Sequence, residues 1–361
     1  MKKVLKWIAL LLGIVVLIAG VGLLVLTVTE YRPAERETIA PQRKAAGTLA
    51  AGTAVHVLSW NIGYGALGDN ADFFMDGGRM VNTADAARVE RNMADIRAFL
   101  EAEAPDLILL QETDVNSDRS HHVDESAALA QSFPAYEALF AYNYKALCVP
   151  YPLPPIGHVE SGLLTLSAYP VASAERVQLP CPFSWPMRLI NLKRCLSVSR
   201  IPVEGSGREL VLINLHLEAY DDGAGKTAQT AMLADLLSTE ADKGNYVIAG
   251  GDFNQVFSNV DTSRWPVRAG MWTPGVIDAA AFDARFSLLM DGSAPTCRYL
   301  DRPYAGADRD SFQYYLIDGF IVSDNVRVER LETVPLDFQA ADHNPVRLTA
   351  ILLPDQPDQP D

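Results

Sequence analysis

The sequence predicts a layered α/β domain, and three observations predict it. Short apolar runs of strand length recur along the chain, two helical patterns lie between some of them, and other runs follow one another directly. The runs are Val55-Trp60, Leu107-Leu110, Leu163-Leu166, Leu210-Leu215, Tyr246-Ala249, Tyr315-Val322 and Val346-Leu353. They are rich in Val, Ile and Leu and suit buried strands. The clearer helix runs from Asp85 to Glu103, where Val89, Met93, Ile96 and Leu100 recur at three- and four-residue spacing behind Thr83 as a cap. A second covers about Thr227 to Glu240, with Met232, Leu233, Leu236 and Leu237. At 361 residues, 49% hydrophobic and 21% charged, the chain can bury a large core. No linker-like stretch divides residues 54–353, which are expected to form one domain.

The N-terminus is a separate element. Lys2, Lys3 and Lys6 flank an uncharged apolar run from Trp7 to Thr29, ended by Glu30. As a helix it would reach roughly 35 Å, enough to cross a bilayer core. A signal peptide would be shorter and followed by a small-residue cleavage site, which is not seen after Thr29. Residues 1–29 are therefore expected to be an uncleaved, single-pass membrane anchor. Lys2, Lys3 and Lys6 face Arg32, Arg36, Arg43 and Lys44 across it, a near balance of charge. The lysines close to the membrane and Glu30 on the other flank place the short tail in the cytoplasm and the domain outside. Residues 30–53, with Pro33, Pro41 and the small-residue run from Ala45 to Ala54, read as a spacer. Residues 354–361, a Pro-Asp-Gln repeat, read as a disordered tail.

Net charge of -15 weakens the case for a non-specific nucleic-acid binder, which ordinarily presents a basic surface. Cys148, Cys181, Cys195 and Cys297 lack C-x-x-C spacing, which argues against zinc. A disulfide between Cys148 and Cys181 and a set of free thiols both remain open.

Almost every apolar run ends in a group able to bind a ligand or move a proton. Asn61 ends the first, Gln111-Glu112 the second and His216 the fourth. Asp252 and Asn254 follow the fifth, Asp318 lies within the sixth, and Asp342-His343-Asn344 precedes the last. In α/β sheets, ligands gather at the strand ends of one edge.

In sequence order these blocks resemble the signatures of the endonuclease/exonuclease/phosphatase superfamily. Ser59-Trp60-Asn61 looks like its first motif, Gln111-Glu112-Thr113 its metal-binding glutamate, and Ser161-Gly162 with Ser167-Ala168-Tyr169-Pro170 its central strand. Asn214-Leu215-His216-Leu217, Gly251-Asp252-Phe253-Asn254, Ile317-Asp318-Gly319-Phe320 and Ala341-Asp342-His343-Asn344-Pro345 complete the set, over about residues 55 to 353. The resemblance implies a four-layered α/β sandwich with two packed mixed sheets, and a metal-dependent phosphoric ester hydrolase.

Phosphate esters resist hydrolysis, so such a site must neutralise phosphoryl oxygens and activate water. Glu112 suits Mg²⁺, with Mn²⁺ as a substitute; Asn61 adds a carbonyl ligand or holds the phosphate, and Asp342 completes a sparse set. His343 is the acid-base or phosphate-stabilising group. The resemblance implies Asp318 as its orienter. Asp252 would position or deprotonate water and Asn254 would donate to transition-state oxygens. Which of Asp252 and His343 takes the proton stays open. Histidine at position 216 resembles the sphingomyelinase, inositol-phosphatase and deoxyribonuclease branches, where apurinic-site endonucleases carry tyrosine. The acidic residue that some nucleases place two positions after the asparagine is here Gly63.

Lys193-Arg194 reads either as a phosphate clamp or as solvated charge. Gly63 to Met80, with Phe73-Phe74-Met75, reads as a loop packed on the domain or as a lid. Asp221-Asp222 is expected to cap the following helix. His56, His121 and His122 are expected to be structural. The resulting expectation is hydrolysis of a phospholipid or small phosphoester at the membrane, with an extracytoplasmic nuclease and a non-catalytic binding domain as alternatives.

Overall fold

The computed structural model describes residues 1–42 and 44–354; Arg43 and the 355–361 part of the expected tail lie outside them. In chain order the strands are β1 (Arg36–Thr38), β2 (Leu49–Ala50), β3 (Ala54–Asn61), β4 (Leu107–Asp114), β5 (Glu137–Val149) and β6 (Gly157–Ser167). Then come β7 (Ser173–Gln178), β8 (Cys195–Glu204), β9 (Glu209–His216), β10 (Tyr246–Asp252), β11 (Gln255–Phe257) and β12 (Gly275–Ile277). The last are β13 (Phe286–Leu289), β14 (Cys297–Arg298), β15 (Tyr314–Tyr315), β16 (Asp318–Ser323), β17 (Val326–Thr333) and β18 (Val346–Leu352). The α-helices are α1 (Lys2–Val28), α2 (Ala86–Glu103), α3 (Glu125–Ser132) and α4 (Ala224–Asp242).

Two mixed sheets result. One has the order β17-β18-β3-β4-β6-β5; the other has β1-β7-β8-β9-β10-β16-β13, with β2 added beside β8. Residue parity explains how they stack. Val55 and Val57, Leu107 and Leu109, Leu210 and Leu212, and Tyr246 and Ile248 meet in one buried cluster between the sheets. Their neighbours face outward: Leu58, Trp60, Ile108 and Leu110 pack on Val89, Ile96 and Leu100 of α2, and Val211, Ile213, Val247 and Ala249 on Leu233 and Leu237 of α4. Strands with both faces covered read as unbroken apolar runs, because neither face meets water. The architecture is the expected four-layered sandwich. Gly250 keeps the sheets close, since a Cβ there would lie 2.5 Å from the Phe320 ring and 3.0 Å from Leu109.

All seven expected runs contribute strands, although Tyr315-Val322 divides into the end of β15 and most of β16. Strands β5, β7, β8, β13 and β17 were not among the expected runs. β17, an edge strand, alternates buried or half-buried with exposed positions, as in Val326-Arg327-Val328-Glu329, so it offers no continuous run. The cap of α2 is Asp85, which accepts from Arg88 N at 2.8 Å. Thr83 instead donates to the Ala66 carbonyl across the loop. Helix α4 starts three residues earlier than expected, and Asp221 caps it by accepting from the Gly225 and Lys226 amides.

Helix α1 buries no residue and is long and apolar enough to cross a membrane. The segment expected to be a spacer instead runs along the domain: β1 pairs with β7 and β2 with β8. All four cysteines are free thiols, Cys195 and Cys297 buried.

Candidate active site

The polar groups converge because strand register levels them. Asp252, the last residue of β10, pairs with His216 of β9 on one side and Asp318 of β16 on the other. In the other sheet Asn61, ending β3, pairs with Gln111 of β4. The register of β4 against β6 slips between Leu110 and Thr113, and Glu112 in that irregularity has φ 53°. A bulge of this kind re-aims a side chain, and a left-handed non-glycine residue stores strain that its surroundings must hold.

Asn61 bridges the sheets. Its Nδ2 donates to Glu112 Oε1 and to Asp252 Oδ2, both at 3.1 Å, while its Oδ1 accepts from Gly63 N at 3.1 Å. The reverse amide orientation would set its oxygen against two carboxylates. Thus Asn61 binds chiefly as a donor here, with one lone pair of Oδ1 already engaged. Gly63, φ 54°, could not carry the acid of other nucleases: a Cβ would fall 2.8 Å from Leu67 and 2.9 Å from Asp342 Oδ1.

The candidate proton-handling groups form a chain. Asp318 Oδ2 and His343 Nδ1 are 2.8 Å apart, so Nδ1 is engaged and Nε2 is turned toward Asp252. That Nε2 lies 3.8 Å from Asp252 Oδ2, and His216 Nε2 approaches the same oxygen at 3.5 Å. Asp252 Oδ1 accepts from Asn254 N at 2.8 Å; Asn254 Nδ2 donates to the Leu217 carbonyl, leaving its second amide hydrogen for a ligand. The two imidazoles are driven apart. Burial, then the charges of Arg194 and His343, hold His216 well below its ordinary pKa. Burial also opposes charge on His343, but Asp318 overrides it and raises that imidazole well above the usual value.

Negative charge is in excess. Burial, then the neighbouring Asp318, pushes Asp252 up to about 7. Burial, opposed by His343 and reinforced by Glu112, does the same to Asp342. Asp342 Oδ1 and Asp318 Oδ1 are buried without a hydrogen-bond partner. Buried carboxylate oxygens without partners are suited to a hard cation. Among the described residues, donor atoms gather within 4.8 Å in two trios, Asp252-Asp318-His343 and Cys297-Asp342-His343. Glu112 belongs to neither. Burial raises the Cys297 thiol to about 12, and a hard cation prefers oxygen donors to sulfur.

Several supporting residues were not singled out in the sequence. Thr296 Oγ1 accepts from the amides of Ile317 and Asp318, fixing the orienting carboxylate. Arg119 pairs bidentately with Asp114 and lies 3.7 Å over the Tyr64 ring beneath the first motif. Only the short spacing of an acid and an arginine hinted at that pair. Trp60 Nε1 donates to the His343 carbonyl at 2.8 Å. Arg194 is neither solvated nor a free clamp: it pairs with Glu218 and donates to the His216 carbonyl, and Lys193 faces Glu30. The Gly63–Met80 loop packs on the domain, with Phe73 against the core and Asp72 Oδ1 accepting from the Arg79 and Met80 amides. His56, His121 and His122 hydrogen-bond to Thr349, the Ala84 carbonyl and Asn116, away from these groups.

The fold is similar to that of an endonuclease/exonuclease/phosphatase from Beutenbergia cavernae, at 19% identity and TM-score 0.54, over 83% of this chain and 72% of that one. It is also similar to the human Nocturnin catalytic domain with bound sulfate anion, at 16% identity and TM-score 0.51, over 88% of this chain and 99% of that one. A third likeness is to D. rerio TDP2 complexed with single strand DNA product, at 14% identity and TM-score 0.52, over 82% and 99%. No curated protein matches. Residues 58–343 match the Endonuclease/Exonuclease/phosphatase family, and the chain belongs to it.

Proposed function

We propose that the chain is a Mg²⁺-dependent hydrolase of phosphoester bonds, with Mn²⁺ as a substitute ion, acting at a membrane that residues 1–29 span. Residues 54–353 form its catalytic domain, outside the cytoplasm, and its substrate is a phospholipid or small phosphoester. The observation that carries this reading is the chain Asp318–His343–Asp252, which closes on Asn61 and Glu112 from the opposite sheet.

Glu112, Asp342 and the carbonyl of Asn61 would hold the ion. When bound, Mg²⁺ supplies charge that polarises a phosphoryl oxygen and makes water easier to deprotonate. The protein does the rest. Asp318 fixes His343 through Nδ1, so Nε2 presents a proton to a phosphoryl oxygen. Asp252 Oδ2, facing the same space, takes the proton of the attacking water. Neutral His216 and the free amide hydrogen of Asn254 orient the phosphate. His216 also supports placement with the sphingomyelinase-like and phosphatase-like branches.

The DNA-bound TDP2 likeness keeps an extracytoplasmic nuclease as the second reading. The local charge supports it less. Arg119, Arg194 and Lys193 are each engaged by protein acids, so these three cations are less available to a polyanion. Purified full chain, assayed with Mg²⁺ on phospholipids, inositol phosphates, nucleotides and DNA, should turn over a lipid or small phosphoester and stop on chelation. Preference for DNA would select the nuclease reading.

A further inference from the structure

Strand register fixes which end of the sandwich faces the anchor. Gln178 of β7 pairs with Cys195 of β8, and Leu196 with Leu215 of β9, next to His216. The chain leaving α1 reaches that same end, where Gln178 N donates to the Glu35 carbonyl. It arrives without slack. Glu30 is paired with Arg32, Arg188 and Lys193, and Trp185 Nε1 donates to Thr27 Oγ1 in the last turn of α1.

The other sheet sends a projection from the same end. Ser161 of β6 pairs with Asp114, two residues past Glu112, and the β5–β6 hairpin continues four residues farther, to Gly157 paired with Val149. At about 3.3 Å per residue the hairpin stands roughly 13 Å beyond that level. Its tip exposes Leu147, Tyr151 and Leu153, the last 85% exposed. Ile190, beyond the Trp185–Met187 turn, packs on the hairpin cluster of Ala146, Val149 and Val159 and accepts from Tyr144 OH. Trp185 and Met187 in that turn are about half exposed. Five large apolar side chains therefore stand unburied on the end from which a membrane-length helix emerges, with one of them hydrogen-bonded to that helix. Tryptophan and tyrosine favour the boundary between lipid and water.

We propose that the β5–β6 hairpin tip and the Trp185–Met187 turn insert into the surface of the bilayer that α1 spans, so that the catalytic end faces lipid and the phosphoesters within reach are lipid head groups. This rests on α1 spanning a membrane, as in the reading above. Contact is apolar, because the five side chains that make it, Leu147, Tyr151, Leu153, Trp185 and Met187, are uncharged.

The test uses full chain in phosphatidylcholine nanodiscs, with Cys148 and Cys181 replaced by serine and an environment-sensitive fluorophore on Leu153→Cys, Met187→Cys or, as the far-end reference, Glu204→Cys. The labels at 153 and 187 should be blue-shifted, shielded from aqueous iodide and quenched by doxyl-labelled lipid, at low and high salt alike. The label at 204 should show none of this. Iodide access at 153 and 187 equal to that at 204 overturns the proposal, as does shielding without doxyl quenching, which would mean that protein covers the tip. Turnover of a soluble chromogenic phosphodiester by the same preparations tests the catalytic reading separately: lipid-immersed labels without Mg²⁺-dependent turnover leave the docking standing and remove the hydrolase.

Discussion

The two sheets bring unlike groups to the site. The six-stranded sheet contributes Asn61 and Glu112, together with Asp342 and His343 just before β18; the larger sheet contributes His216, Asp252 and Asp318 on three adjacent strands. Glu112 sits in a bulge at positive φ, whereas His216 and Asp252 end, and Asp318 begins, strands in plain register. In the proposed mechanism the groups that would hold a cation thus come mostly from an irregular edge, and those that would move protons mostly from a regular one. His343 crosses the division, because its backbone belongs to one side and its hydrogen bond to Asp318 to the other. Neither sheet holds all of these groups, so the proposed chemistry depends on the relative position of the two.

Breaking the crossing should cost most. His343→Ala removes the imidazole that crosses this division, and kcat should fall about 10³-fold, within the span of general acid-base effects; steady-state turnover at saturating Mg²⁺ checks it, and no added ion should restore it. Glu112→Gln touches only the cation side. Turnover at low Mg²⁺ should fall roughly 10- to 100-fold and recover in part as Mg²⁺ is raised, the scale on which metal sites respond to a lost carboxylate partner. Equal loss at all Mg²⁺ levels would place Glu112 on the proton side and erase the distinction.

The seam sharpens the comparison further. Asn214 of β9 accepts from Gln111 Nε2 at 2.8 Å and donates to the Leu110 and Leu164 carbonyls, all buried across the sheet interface. Asn214→Leu should cost about 1–3 kcal/mol in denaturant unfolding, and should lower kcat by more than the folded fraction explains, because the sheets shift. A control belongs at the far end. Glu240 binds Arg200 at 2.6 and 3.0 Å, Lys243 and Asn245. Glu240→Gln should cost about 1–2 kcal/mol with activity per folded molecule unchanged. Burial opposes ionisation there, but hydrogen bonds from Arg200, Lys243 and Asn245 win and hold the carboxyl near about 2. Its folded pKa is depressed, so its contribution is complete above the ordinary carboxylate range and lost as pH falls toward about 2. The stability gap between the two proteins should therefore be full at neutral pH and narrow in acid.

Central strands were legible because burial on both faces leaves a continuous apolar signature, and the site was legible because its residues end those strands. The edge strands β5, β13 and β17 were not, and neither were β7 and the central β8, because polar residues interrupt their apolar positions, as Ser197 and Ser199 do in β8. The pairing of Asp318 with His343 came from resemblance alone and is present at 2.8 Å. Asn61 shows what that route leaves out: its residue type suggested a ligand oxygen, and its neighbours add that Nδ2 donates to two carboxylates while Oδ1 accepts from Gly63 N. Thr296 and Arg119 escaped notice because their value lies in contacts made across long loops.

The segment between helix and domain also decides where the gene can be cut. A soluble version beginning at residue 54 would delete β1 and β2 and lay bare the margins of β7 and β8, whose unpaired amides and carbonyls would then invite other chains. A truncation beginning near Glu30 keeps both margins covered. Of two soluble versions differing by these few residues, the longer should express as a monomer and the shorter should precipitate, although both retain every group at the site.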